Sequence, residues 1–179
     1  MNQELIVKAA CSAAEEVFTT MLGLQVTPGP AHVEMGPSGE GEPVVALIGL
    51  AGAWMGTGML CCSPEFACKL SSLMLMTECS SVDGEVLDAV AEISNMIFGN
   101  VKTALEEHVG PLGLSIPTVI FGRNFTTRSV GQQPWTVIEL NTDAGVMSMR
   151  ICLTPNSNKG SVVRDSQLVT AFRQSGAAR

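Results

Sequence analysis

The sequence predicts an α+β fold, an antiparallel β-sheet packed with two long helices. Three observations lead there. Two long stretches, at the start and in the middle of the chain, carry apolar residues at helical spacing. Short apolar and β-branched runs bounded by Gly, Pro, Asn or Asp read as strands. The strands are consecutive and joined by short links, so they pair antiparallel, and the helices stand in blocks apart from them. The order reads helix, three strands, two helices, three strands.

Residues 2 to 22 form the first helix, with Leu5, Ile6, Ala9, Ala13, Val17 and Met21 as its apolar stripe and Gly23 as its stop. Residues 24 to 35 read as a strand made irregular by two prolines, and 36 to 43 as a turn. "VVALIGLAGAWMGTGMLCC", residues 44 to 62, is 19 residues without a charge, long enough to suggest a membrane helix. Its four glycines (49, 52, 56 and 58) and β-branched start favour a buried hairpin of about 44–51 and 54–62. Ser63-Pro64-Glu65 starts a helix to about 76, with Ser at the N-cap and Pro at N1. The central helix starts near Ser81 or Asp83 and runs to about 108. Strands follow at about 114–125, 134–141 and 145–153, the last two joined by a tight turn at 142–145. The expected organisation is one domain over 1–155 and a polar tail over 156–179, with one short amphipathic stretch, "DSQLVTAF".

There is also an internal echo. "LGLQVTP" after the first helix resembles "LGLSIP" after the central one, and Ser12, Glu16 and Thr19 take the spacing of Asp88, Glu92 and Asn95. This suggests two related halves, each a helix feeding a set of strands.

Composition narrows the partners. The 179 residues are 46% hydrophobic and 15% charged, which argues against disorder. A net charge of −7 with no Lys/Arg run speaks against nucleic acid and anionic membrane as main partners. The N-terminus carries acids where a signal peptide has its apolar core. Six cysteines match no zinc spacing, so they read as reduced, mostly buried thiols in a cytoplasmic protein. Met55, Met59, Met74, Met76, Met96, Met147 and Met149 read as core; Trp54 and Trp135 read as packing or edge residues, and His32 and His108 as surface.

The central helix holds the candidate site. Asp88, Glu92, Asn95 and Gly99 recur at i, i+4, i+7 and i+11. With Lys102 and Glu106 they fall within roughly 80° on a helical wheel. Val86, Val90, Ile93, Ile97, Val101 and Ala104 lie opposite, so the helix runs unbroken through Gly99 and Asn100. A solvated face is the plain explanation for such a stripe. Against it, the stripe reads as lacking the Glu/Lys i,i+4 pairing usual on solvated faces. Asn95 and Gly99 together cost the helix about 1–1.5 kcal/mol relative to Ala. Gly99 leaves a notch beside Asn95 where another molecule can approach closely.

"DAVAEISN", with Pro117 beyond it, resembles the motif of the CheC/CheX/FliY family of chemotaxis phosphatases: Asp or Ser, then Glu, then Asn, then a distant proline. The hairpin "IGLAGAWMGTGMLCC" and "EEVFTTMLGLQV" are similar to the family's hairpin and first-helix end. The resemblance covers about residues 5–155 and is closest to CheX, which implies the pseudo-repeated CheX/CheC-like arrangement of helices and sheet. It implies a phosphatase acting on the phospho-aspartate of a CheY-like response regulator. In that reading Asn95 orients the attacking water, Glu92 pairs with the receiver's active-site lysine, and Asp88 and Gly99 support them. It also implies a homodimer, no cofactor of its own, and Mg²⁺ supplied by the receiver. Thr19 stands where a second site would need Asn, and a hydroxyl lacks an amide's reach and two-ended hydrogen bonding, so one active site per chain is expected.

The chemistry is consistent with that. An acyl phosphate is already reactive, and placing a water in line with phosphorus needs no nucleophile or metal from the catalyst. The sequence has no His cluster, Ser-His-Asp pattern or true phosphate loop. The rival reading is a non-catalytic adaptor of the same fold that grips a response regulator or flagellar switch protein. A membrane-embedded protein would rest on 44–62 alone.

Overall fold

The computed structural model describes residues 3–36, 44–122 and 133–156. Residues 37–43 of the turn expected at 36–43, residues 123–125 of the strand expected at 114–125 and the tail from 157 lie outside the described residues. The elements are helix α1 (Gln3–Met21), strands β1 (Thr27–Pro28), β2 (His32–Met35), β3 (Val44–Gly52) and β4 (Trp54–Cys62), helices α2 (Pro64–Leu75) and α3 (Gly84–Val109), and strands β5 (Leu112–Leu114), β6 (Thr118–Phe121), β7 (Pro134–Asn141) and β8 (Val146–Pro155). Residues 44–62 are the expected hairpin, Val44 pairing with Cys62 and Leu50 with Gly56. Among the described residues no helix is long and apolar enough to cross a membrane.

Local chemistry accounts for the helix ends. Ser63 Oγ accepts the Phe66 amide at 3.2 Å and Asp83 Oδ1 accepts the Val86 amide at 3.0 Å, each satisfying a donor that the helix start leaves open. Gly23 ends α1 at φ 65°.

Two expected single strands are each two. Residues 24–35 split into β1 and β2, and both pair with β7; the strand expected from about 114 begins at Leu112 and splits into β5 and β6, and both pair with β3. Proline sits at each break and cannot donate to a ladder. The partner strand's polar groups are met another way. The Gly29 amide donates to the Glu139 carbonyl at 2.7 Å. The Ser115 amide donates to the Gly49 carbonyl at 2.9 Å, and Ser115 Oγ accepts the Gly49 amide at 2.8 Å.

All the described strands join one antiparallel sheet, in the order β1-β7-β8-β4-β3-β5, with β2 on β7 and β6 on β3. This order expresses the internal echo. Hairpins β3–β4 and β7–β8 meet through β4 and β8, and the split strand of each half crosses to the outer edge of the other half's hairpin.

The three helices cover one face. There Ile6, Val17 and Phe18 of α1, Leu70 of α2 and Val90, Ile97 and Phe98 of α3 form a core with Val44, Ile48, Leu60, Ile138 and Met149 of the sheet. The opposite face carries a smaller buried cluster of Val45, Met59, Cys61, Trp135, Val137 and Cys152, beside which Arg150 Nη1 donates to Glu34 Oε2 at 2.8 Å. None of the six cysteines is in a disulfide. Burial, before any charge, pushes the Cys11, Cys68 and Cys152 thiols up.

The methionine expectation holds only in part. Met59, Met147 and Met149 are buried, but Met55 and Met76 are 47% and 93% exposed. Met55 lies beside the turn of the β3–β4 hairpin, and Met76 caps α2 just beyond the core. Trp135 is buried, and His32 and His108 are on the surface as expected.

Candidate functional site

Helix α3 carries the site, and its back face holds it in place. Val86, Val90, Ile93, Ile97, Phe98, Val101 and Leu105 are buried to the last percent. Ser94, also buried, donates its hydroxyl to the Val90 carbonyl at 2.8 Å, so it costs nothing unsatisfied. The Phe98 ring occupies the place where a Cβ on Gly58 would stand. That hairpin glycine therefore lets α3 lie close against β4, and a ring buried this way resists rotation or sliding of the helix. At the C-terminal half, Asn100 Nδ2 donates to Glu16 Oε2 of α1 at 3.0 Å.

The front face presents the stripe. Asp88, Glu92 and Asn95 are exposed and Gly99 is half-buried. No hydrogen bond or ion pair from another described residue engages the side chains of Asp88, Glu92 or Asn95. A Cβ at Gly99 would find nothing within 4 Å, so the expected notch is open space. Asp88 and Glu92 border an open hollow of about 510 Å³ whose other wall is Met74, Leu75 and Thr77 at the end of α2. An acid and an amide at i,i+3 have Cβ atoms roughly 5–6 Å apart, close enough to engage adjacent groups of one partner.

One expectation about the stripe needs correcting. It does contain an i,i+4 ion pair, Lys102 Nζ to Glu106 Oε2 at 2.9 Å. The Lys102 hydrogen bond, followed by the Leu112 amide donating at 2.8 Å, holds the Glu106 carboxyl below its usual range. This end of the stripe therefore ties α3 to β5, and only the Asp88–Glu92–Asn95 portion is left unengaged. Ala104 is exposed, although the wheel puts it with the apolar residues. It lines a larger groove of about 620 Å³ between α1 and α3, with Lys8, Ser12, Glu16 and Glu107.

The corresponding positions on α1 are Ser12, Glu16 and Thr19, all exposed. They differ from the α3 stripe in two ways: the amide is absent, and Glu16 is held by Asn100. Sequence reasoning missed the Glu16–Asn100 bond, because it joins residues 84 apart that only helix packing brings together. Among the described residues no group of three or more His, Cys, Asp or Glu could hold a metal ion.

This arrangement has close counterparts among known proteins. Residues 44–141 match the family model Chemotaxis phosphatase CheX. The chain is 30% identical over 132 residues to CheY-P phosphatase CheX of Thermotoga maritima, across 70% of this chain and 81% of that protein. The crystal structure of a chemotaxis protein CheX from Desulfovibrio desulfuricans superposes with TM-score 0.74 at 28% identity, covering 83% of this chain and 99% of that one. The CheX-CheY-BeF3-Mg²⁺ complex from Borrelia burgdorferi superposes with TM-score 0.70 at 22% identity, covering 83% and 97%, a likeness of fold. By the matched family model and its Thermotoga relative, this chain belongs to the CheX family of chemotaxis phosphatases.

Proposed function

We infer that the chain hydrolyses the aspartyl phosphate of a CheY-like response regulator by inserting Glu92 and Asn95 of α3 into the receiver's active site. The observation that carries this reading is the pairing of a rigid back face with a free front. Phe98 and its neighbours lock the helix, while Glu92 and Asn95 stand exposed one turn apart with no partner among the described residues. A fixed helix has little backbone freedom to lose on docking, and positioning is the contribution this reaction needs.

In the step itself, the water oxygen bonds to phosphorus as the bond from phosphorus to the aspartate oxygen breaks. One proton of the water stays on the new phosphate and the other passes to solvent, so the products are hydrogen phosphate, the free aspartate carboxylate and a solvent proton. Asn95 can accept from the water through its carbonyl and donate to the phosphoryl group through its amide. Glu92 offers a carboxylate to the receiver's lysine, and Asp88, one turn earlier, adds negative charge to the same hollow. The receiver brings its own Mg²⁺, which neutralises phosphoryl charge. The Borrelia complex, which contains CheX, CheY, BeF3 and Mg²⁺, supports this division of labour.

One active site per chain follows from Thr19 and from the engagement of Glu16, and a cytoplasmic homodimer completes the reading. The decisive experiment incubates the protein with a phosphorylated CheY-like receiver and follows loss of the label. Faster loss supports a phosphatase, whereas tight binding with an unchanged phosphate lifetime supports the adaptor. Light scattering at about twice the 18.8 kDa chain mass supports the dimer.

A further inference from the structure

We propose that the corner after α2 is a docking anchor: Met76, with Leu75 beside it, packs into an apolar patch flanking the phosphorylation pocket of the receiver that Glu92 and Asn95 serve. The proposal rests on the phosphatase reading of α3 and extends the interface beyond that helix.

Three observations converge on this corner. Met76 is 93% exposed, the most exposed of the large apolar residues described, and Leu75 beside it is 43% exposed. A single exposed apolar residue needs no explanation, but two adjoining ones do, and here Leu75 lines the hollow while Met76 follows it in the chain. Second, Met76 caps α2 in the left-handed region, at φ 54° and ψ 33°. Among the described residues every other positive φ belongs to glycine, the residue that helix ends of this kind favour. A bulky side chain is thus kept where it strains the backbone and touches little of the core, a combination found where function requires it.

Third, the corner is pinned. Ser72 Oγ donates to the Cys68 carbonyl at 2.8 Å and accepts the Cys79 amide at 2.9 Å, and Thr77 Oγ1 donates to the Leu75 carbonyl at 3.3 Å. Met76 is therefore presented on a fixed turn, which lowers the cost of using it as an anchor.

The occupant follows from continuity. Met74, Leu75 and Thr77 form one wall of the hollow whose other wall is Asp88 and Glu92. A folded domain that brings a cation to Glu92 fills that hollow and meets the Met76 corner with the surface next to its phosphorylation pocket. An apolar anchor beside a charged pair also divides the labour, the charges fixing orientation and the buried side chain supplying affinity.

Met76→Gly tests this, because a structural role and a docking role predict opposite changes. Removing the strained side chain raises the melting temperature. It also raises KM for the phosphorylated receiver about tenfold while kcat holds, whereas Asn95→Ala lowers kcat and leaves KM. Met76→Asn, which also tolerates this backbone, behaves as Met76→Gly. Calorimetric binding to a CheY-like receiver with BeF3 and Mg²⁺ makes the same comparison without turnover. Affinity falling about tenfold in both variants upholds the anchor even if no phosphate is released, an outcome that would count against catalysis alone. Unchanged affinity overturns the anchor even if the wild-type protein is an active phosphatase. A smaller oligomer with unchanged receiver affinity also overturns it, assigning the corner to a second copy of the chain.

Discussion

Replacing Gly99 with alanine separates a helix that is merely solvated from one shaped for close approach. Position 99 lies inside α3, ten residues from its end, and a Cβ there meets nothing within 4 Å. The methyl group therefore enters without steric cost inside the molecule. Alanine gains about 0.5–1 kcal/mol over glycine in a helix interior. For a protein of this length each kcal/mol moves the melting temperature by roughly 2–4 °C, so Gly99→Ala should melt about 1–4 °C higher. The same methyl fills the notch one turn beyond Asn95. A partner backbone resting there must retreat by on the order of 1 Å, and a displacement of that size costs up to about 10²-fold in rate when catalysis is positioning. Thermal denaturation followed by circular dichroism, and the phosphate lifetime of a phosphorylated CheY-like receiver, measure the two effects. A variant that is more stable and slower supports the account. A more stable variant with full activity would show that no partner uses the notch, and a less stable one would refute the helix geometry.

Two further outcomes follow from the packing and the charges. Gly58→Ala should destabilise the fold by about 1–3 kcal/mol, because the Phe98 ring must move, and should slow the phosphatase by tilting α3; urea titration and the receiver assay check both. Glu106 is held below its usual range in the folded chain, so its contribution to stability is present above the ordinary glutamate range and is lost as pH falls through the lowered value. Glu106→Gln should remove that part of the acid limb in melts taken from neutral pH down through the carboxylate range, and an unaltered limb would refute the pairing with Lys102 and Leu112.

The helices, hairpin and stripe were legible because each rests on periodicity or on one local residue. Ser63 and Pro64 start α2, and Asp83 starts α3. Glycine punctuation between two apolar runs over 44–62 marks a hairpin. Asp88, Glu92, Asn95 and Gly99 keep helical spacing, so their common face could be read from the sequence. What was not legible depends on distant residues. The β1/β2 and β5/β6 breaks keep both pieces on one partner strand because Gly29 and Ser115 satisfy Glu139 and Gly49 across the sheet. The need for glycine at 58 lies with Phe98, 40 positions away. Met76 reads as core by composition and is on the surface because α2 ends one residue before it. The Lys102–Glu106 spacing is plain in the sequence, but its continuation to the Leu112 amide is visible only in the fold.

On the proposed reading, Asn95 places the attacking water without contributing to the fold. The most direct test is the rate of phosphate loss from a phosphorylated CheY-like receiver with the Asn95→Ala protein. The expected outcome is a wild-type melting temperature and a rate lower by on the order of 10²-fold or more. Hydrolysis by Asn95→Ala at the wild-type rate would contradict it.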